Sequence, residues 1–237
     1  MIATPALSRG AFADADPCPA PHIGENGRME LWLRDRVYVV TGGSRGLGFA
    51  AAEALVTDGA RVVLSAPHEA TASAAVARLE QNAATAGAAS WVAADNSDPG
   101  TPSRLIAAAK ERFGRLDGAL MSVGGTPPGT IATTTDEAWR SAFESVFLGA
   151  VRMARILAAD LLGPDEGSAA NGSITGTGLS LVFVLASSVR VPLAQLPISN
   201  GLFPGLAGVV KTLANELGPA GARINGLLPV SRYRPGP

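Results

Sequence analysis

Cysteine, histidine and net charge are all scarce in this 237-residue sequence, and each scarcity excludes a class of protein. Cys18 is the only cysteine, so no intrachain disulfide can form, and we expect a cytoplasmic location. With only two histidines in addition, we expect no metal site. The formal net charge of −1 gives no electrostatic basis for binding nucleic acid.

Long apolar runs are lacking as well. The longest, residues 179–186, is far shorter than the roughly 18 residues of a membrane-spanning helix, so we expect no membrane partner. Residues 1–28 lack the apolar core of a secretory signal, and we predict a flexible tail in front of a single domain at 29–237. Two alternatives stay open: a natural start at Met29, and a genuine tail that docks on the domain.

Apolar, β-branched runs alternate with helix-period segments from residue 37 onward. The runs predict strands at 37–41, 61–65, 90–94, 116–123, 179–187 and 223–228. Among the predicted helices, one at 136–162 follows the capping-box pair Thr134 and Glu137, and one at 203–217 has Pro204 in its first turn. A polar, glycine-rich loop is predicted at 163–178. The alternation predicts an α/β fold of three layers, a doubly wound, Rossmann-like parallel sheet.

Residues 41–48 read T-G-G-S-R-G-L-G and lie between the first predicted strand and the first predicted helix. Gly42 allows a tight turn, Gly46 allows a pyrophosphate to approach the backbone, and Gly48 allows the helix to pack closely on the sheet. The free N–H groups at the helix start favour an anion. The position therefore predicts a dinucleotide site, and a turn without a ligand is the alternative.

The spacing G-x-x-x-G-x-G resembles that of the short-chain dehydrogenase/reductase family, in particular a subgroup similar to 3-oxoacyl reductases. The resemblance covers about residues 30–231 and is supported by further matches: Asp95, Leu116, Asp117, residues 124–129 (G-G-T-P-P-G), Asn225 and Pro229. It implies that the cofactor contacts Gly42, Ser44, Arg45, Gly46, Leu47, Gly48, Asp95, Gly124 and Pro229.

The choice of nicotinamide cofactor depends on the end of the second strand. An NAD-binding protein usually has an acid there for the ribose hydroxyls, whereas residues 65–68 read S-A-P-H. Arg45, inside the glycine turn, can reach a 2′-phosphate. We therefore expect NADP(H) in preference to NAD(H).

The family's usual catalytic tyrosine and lysine are missing. The sequence has only two tyrosines, Tyr38 and Tyr233, and neither occupies the family's position. The resemblance aligns Ser199 with that tyrosine and Phe203 with the lysine four residues later. A phenol tuned close to the working pH is the usual proton donor, so this chain must work differently or not at all.

The family's other two catalytic residues are an asparagine and a serine, and only the serine is retained. The asparagine position falls on Val146, whereas the serine is retained as Ser188 or its neighbour Ser187. If the protein is a reductase, we expect Ser188 to orient the substrate oxygen and solvent or substrate-bound water to supply the proton, with a water held by Ser188 and Ser199 as one option for its relay.

Three functions remain open. The first is an NADP(H)-linked oxidoreductase that acts on a carbonyl or hydroxyl group of an unidentified small molecule by an atypical mechanism. The second is a catalytically degenerate protein that only binds a nucleotide or oligomerises, and the third is an elimination or isomerisation enzyme. The resemblance also implies a homodimer or homotetramer through helices 136–162 and 203–217, where small residues (Ala142, Gly149, Ala207 and Gly208) permit close approach.

Overall fold

The computed structural model describes residues 22–23, 29–162 and 178–229. Its first two strands, β1 (His22–Ile23) and β2 (Met29–Glu30), form a short antiparallel pair. The other strands are β3 (Val37–Thr41), β4 (Arg61–Ala66), β5 (Ala89–Ala93), β6 (Gly118–Ser122), β7 (Ser180–Val184) and β8 (Arg223–Leu227). They form one parallel sheet in the order β5-β4-β3-β6-β7-β8.

Helices cover both faces of this sheet. They are α1 (Gly46–Thr57), α2 (Glu69–Asn82), α3 (Thr101–Phe113), α4 (Asp136–Ala142), α5 (Gly149–Leu162) and α6 (Pro197–Leu217). A π-helical segment, Phe143–Leu148, joins α4 to α5 without a break. The predicted three-layered, doubly wound parallel sheet is confirmed.

Two apolar cores form because the central strands are buried on both faces. On one face Phe49 and Val56 of α1 and Leu79 of α2 pack against the sheet. On the other, α3, α5 and α6 contribute the larger core, which includes Leu157 and Leu206. The sheet is thereby held rigidly between the layers, and its strand ends can position a site.

Asp117, just before β6, fixes the amino ends of the two central strands. Its side chain is 4% exposed, and its Oδ2 accepts a hydrogen bond of 2.9 Å from the backbone N–H of Val37. Arg36 and Arg115 both donate to the same carboxylate. A buried carboxylate requires such partners, because an unpaired one would be costly to desolvate.

One predicted helix start and one predicted cap are wrong. The last helix begins at Pro197 and not at residue 203, so Pro197 is the first-turn proline and Pro204 lies inside α6. Pro204 has no N–H to donate to the carbonyl four residues earlier, and such a proline disfavours a helix locally. The helix continues there because its inner side packs on the core. At α4 the cap is Thr135, whose hydroxyl accepts from Ala138 N–H, whereas the Thr134 hydroxyl donates to Thr130.

Several predicted segments lie outside the described residues. They are most of the tail 1–28, residues 163–177 of the glycine-rich loop, and Tyr233. The flexible tail thus stays a prediction, although His22 and Ile23 pair with β2.

Candidate active site

The sheet order reverses its direction between β3 and β6, and a cleft of about 440 Å³ opens at the carboxyl ends of these strands and β7. Ligands of doubly wound proteins bind at this kind of switch point. The walls come from the turn after β3, the loop after β6, the end of β7 and the start of α6. The fold therefore brings four separate parts of the sequence to one site.

The glycines of the turn after β3 serve different purposes. Gly42 has φ +60°, and a Cβ on it would overlap the carbonyl oxygen of Ser122. A Cβ on Gly48 would collide with the carbonyl oxygen of Gly42, so Gly48 permits close packing of α1 on the turn. Gly46 also has a positive φ, +59°, but nothing lies within 4 Å of the position its Cβ would take. Open space in front of the backbone is therefore found at Gly46.

The start of α1 suits an anion. Arg45 is the N-cap residue, no side chain caps the helix, and its first turn contains no acidic residue. The first N–H groups of a helix carry partial positive charge and need acceptors. Together with the space at Gly46, this arrangement fits the pyrophosphate of a dinucleotide.

The end of β4 carries no carboxylate. Ser65 and Ala66 are buried, and the Ser65 carbonyl accepts a 3.0 Å hydrogen bond from Gly43 N–H, which ties this strand end to the glycine turn. The Ser65 hydroxyl is buried and has no partner among the described residues. His68 is exposed and precedes α2. Arg45 is exposed and lines the cleft, so it is the charged side chain of the glycine turn that a 2′-phosphate can meet.

The side chains of Ser188 and Ser199 are in contact. Their hydroxyl oxygens are 3.0 Å apart, and the Ser188 hydroxyl is also 3.3 Å from the carbonyl oxygen of Ser199. Both residues are 4% exposed. Ser199 lines the cleft, whereas Ser188 does not belong to its lining. The side chain that can touch a ligand is therefore Ser199, with Ser188 as its partner.

The positions that the resemblance assigns to the family's lysine and asparagine hold apolar side chains. Phe203 follows Ser199 by one turn of α6, is 4% exposed and lines the cleft. Val146 lies in the π-helical segment and is buried in the larger core. Neither can donate a proton, so the hydroxyl pair of Ser188 and Ser199 has no lysine or asparagine partner at these two positions.

The structure brings together six of the predicted site residues on the cleft wall: Gly42, Arg45, Gly46, Leu47, Gly124 and Ser199. Ser44, Gly48, Asp95, Ser188 and Pro229 do not line it. The Asp95 carboxylate accepts hydrogen bonds from the N–H and hydroxyl of Ser97. Sequence reasoning missed Thr126, Leu193 and Leu196. The strand ends could have pointed to the first, but nothing in the sequence marked the two leucines.

Comparisons with known proteins agree with this geometry. The family model described as short chain dehydrogenase matches residues 36–231. The chain belongs to this family. The relatives named below are oxidoreductases, and they do not favour a role restricted to binding or assembly.

Two curated relatives and one solved structure illustrate the similarity. An uncharacterised oxidoreductase of Methylorubrum extorquens is 30% identical over 83% of this chain and 73% of its own length. The L-rhamnose 1-dehydrogenase (NAD(P)(+)) of Azotobacter vinelandii is 31% identical over 84% and 74%, respectively. The L-sorbose reductase of Gluconobacter frateurii, solved with NADPH and L-sorbose, superimposes with a TM-score of 0.72 at 26% identity, covering 85% of this chain and 71% of that one.

No helix in the described part of the chain is long and apolar enough to cross a membrane.

Proposed function

We propose that this protein is an NADP(H)-linked oxidoreductase that interconverts a carbonyl and a hydroxyl group without a catalytic tyrosine. One observation carries the proposal: the cleft joins an uncapped helix start, suited to a dinucleotide, to a buried hydroxyl pair at its other end. The NADPH in the sorbose reductase structure and the NAD(P)(+) in the name of the rhamnose dehydrogenase support a nicotinamide cofactor. The single cysteine supports a cytoplasmic location.

NADP(H) is favoured over NAD(H) for an electrostatic reason. The planar guanidinium group of an arginine such as Arg45 can bind a phosphate through two parallel hydrogen bonds. The end of β4 has no carboxylate that would repel a 2′-phosphate or bind the free ribose hydroxyls of NAD. The residues that would hold the cofactor are the glycine turn and Arg45, with the predicted contacts from Asp95, Gly124 and Pro229.

The serine pair can serve both directions of the reaction. Ser188 has one hydroxyl proton and two acceptors in reach, the hydroxyl and the carbonyl oxygen of Ser199. If it donates to the Ser199 hydroxyl, Ser199 keeps its own proton for a ketone oxygen. If it donates to the carbonyl, Ser199 can donate back to Ser188 and present its lone pairs to an alcohol.

The reduction adds one hydride and one proton to the carbonyl group. When bound, NADPH supplies a hydride to the carbonyl carbon and is oxidised to NADP⁺. Ser199 donates a hydrogen bond to the carbonyl oxygen, Ser188 holds Ser199 in place, and water in the cleft supplies the proton that completes the hydroxyl group. Because a missing general acid typically costs about 10²- to 10⁴-fold in rate, turnover should be slow.

Calorimetric titration tests the cofactor assignment. NADPH should bind more tightly than NADH, and Arg45→Ala should remove most of that difference. Arg112→Ala, which removes an exposed charge from α3, is the matched control and should bind like the wild type. Tighter binding of NADH, or an Arg45→Ala variant that keeps the preference, would contradict the proposal.

Absorbance of reduced nicotinamide over a panel of ketones and alcohols tests the chemistry. Ser199→Ala should lower kcat more than Ser188→Ala, since only Ser199 of the pair lines the cleft, and exposed Ser103 on α3 provides the matched control, Ser103→Ala. The pH profile should lack the limb that a tyrosine titrating near neutrality would give. Absence of turnover with every substrate would refute the oxidoreductase proposal.

A homodimer or homotetramer through the outer faces of α4, α5 and α6 is also part of the proposal. Phe143, 40% exposed, stacks on Phe147 at 5.2 Å, and the position beside exposed Gly208 is open. Ala142 and Gly149 do not contribute as expected, because both are buried within the subunit. Light scattering that gives a monomer at working concentration would contradict this assembly.

A further inference from the structure

The cleft has two chemically different ends. Arg45 and the glycine turn form one end, and Leu193, Leu196 and Phe203 contribute apolar walls near Ser199. Among the described residues that line the cleft, Arg45 is the only one with a charged side chain. Within the part of the chain that the structure describes, the lining beside Ser199 therefore offers no cation to a carboxylate or phosphate on the substrate.

The apolar wall is held in place by hydrogen bonds. The Asn200 side chain accepts from the N–H of Leu193 at 2.8 Å and donates to its carbonyl at 2.9 Å. The carbonyl of Gln195 accepts a 2.9 Å hydrogen bond from Gly129 N–H, which links this wall to the loop after β6. The two walls are thus joined, and the shape of the cleft is set before a ligand enters.

One polar atom of the loop after β6 has no hydrogen-bond partner among the described residues. The Thr126 hydroxyl is buried and has no hydrogen-bond partner among the described residues, and Thr126 lines the cleft. A buried hydroxyl without a partner costs free energy, and native proteins rarely keep one unless something binds it. Because protein atoms cover the hydroxyl oxygen, Thr126 must turn about its Cα–Cβ bond for a ligand in the cleft to supply the missing partner.

We propose that the cleft accepts neutral, mostly apolar carbonyl compounds and the matching secondary alcohols, and that the Thr126 hydroxyl is a specificity-determining group that hydrogen-bonds the substrate. This inference rests on the proposed function, since Ser199 is taken to contact the reacting oxygen. Substrates that carry a carboxylate are disfavoured, because burying an unpaired charge at this end is costly. Sugars are disfavoured as well, since most of their hydroxyl groups would find no partner on the apolar wall.

Ligand-observed NMR titration tests substrate class without requiring turnover. The probes are 4-methylcyclohexanone and 4-oxocyclohexanecarboxylate, which share the ketone and differ in charge, measured with and without NADP⁺. The neutral ketone should bind at least about tenfold more tightly, a modest fraction of the cost of burying a charge. Equal binding, or tighter binding of the carboxylate, would overturn the inference.

Thr126→Val and Thr126→Ser test the hydroxyl. Thr126→Val should weaken binding of the neutral ketone about 2- to 10-fold, the value of one neutral hydrogen bond, and Thr126→Ser should restore it. The melting temperature of Thr126→Val should stay the same or rise, because an unpartnered buried hydroxyl is removed, whereas a structural role would lower it. Unchanged ketone affinity, or a loss of NADPH affinity instead, would overturn the assignment.

The outcomes separate the two proposals. A protein that binds the neutral ketone through Thr126 but neither binds nor oxidises NADPH would refute the proposed oxidoreductase function and leave the ligand class standing. A protein that oxidises NADPH with charged ketones or sugars in preference to neutral ketones would keep the function and refute the ligand class.

Discussion

Replacing the two glycines with positive φ in the turn after β3 should separate folding from cofactor binding. Alanine at either position must adopt a left-handed backbone, which costs roughly 1–2 kcal/mol. At Gly46 nothing opposes the new methyl group, so that cost is the whole effect on stability. At Gly42 the methyl group overlaps the carbonyl oxygen of Ser122, and relieving this overlap adds roughly 1–3 kcal/mol.

These values give clear expectations for thermal unfolding. A protein of this size loses about 2–4 °C in Tm per kcal/mol, so Gly46→Ala should melt roughly 2–8 °C below the wild type and Gly42→Ala roughly 4–20 °C below it. Gly114, with φ +76° at the end of α3 and open space around its Cβ position, provides the matched control away from the cleft. Gly114→Ala should melt like Gly46→Ala.

Calorimetric titration with NADPH then distinguishes Gly46 from its control. The methyl group of Gly46→Ala projects into the space where we expect the pyrophosphate, so NADPH affinity should fall at least about tenfold, or 1.4 kcal/mol. Gly114→Ala should bind NADPH like the wild type. If the two variants bind NADPH equally well, the glycine turn does not hold the cofactor, and the proposed pyrophosphate position at Gly46 is wrong.

Three further predictions concern stability. Asp117→Ala should lower the free energy of unfolding, measured with urea, by about 3 kcal/mol, because Val37 N–H loses its acceptor and two arginines lose their partner. An unchanged urea midpoint would show that the carboxylate is dispensable. Burial, followed by the negative charge of Asp117, raises the pKa of Tyr38. The neutral phenol therefore contributes fully to the free energy of unfolding below pH 10.0, and this contribution is lost as pH rises through the raised pKa. Tyr38→Phe should therefore lose less stability than the wild type between pH 9 and 11 (roughly either side of the phenol's ordinary pKa), and equal losses would contradict this. A chain that starts at Met29 gives up the pairing of β1 with β2 and should melt within about 4 °C of the full chain, so a larger fall would show that residues 1–28 support the domain.

Much of the architecture could be predicted from local patterns. The β-branched run at 37–41 became β3 with the predicted bounds, because a strand buried on both faces needs a continuous apolar sequence. The last helix was predicted six residues too short at its start, since Pro204 is a strong local signal against a helix interior. Packing of Ile198, Leu202 and Phe203 against the rest of the protein outweighed that signal.

The sequence by itself determined the fold class, the glycine turn and the loss of the family's tyrosine and lysine, because each depends on residue types at short, fixed spacings. Only the tertiary structure decided which hydroxyl faces the cleft. Ser188 and Ser199 are 11 positions apart in sequence, and the register between the end of β7 and the start of α6 sets their 3.0 Å contact. The same holds for Thr126, whose hydroxyl became a candidate substrate-binding group only because burial left it without a partner among the described residues. Contacts between distant segments depend on how whole layers pack, and that information is not contained in any local stretch of the chain.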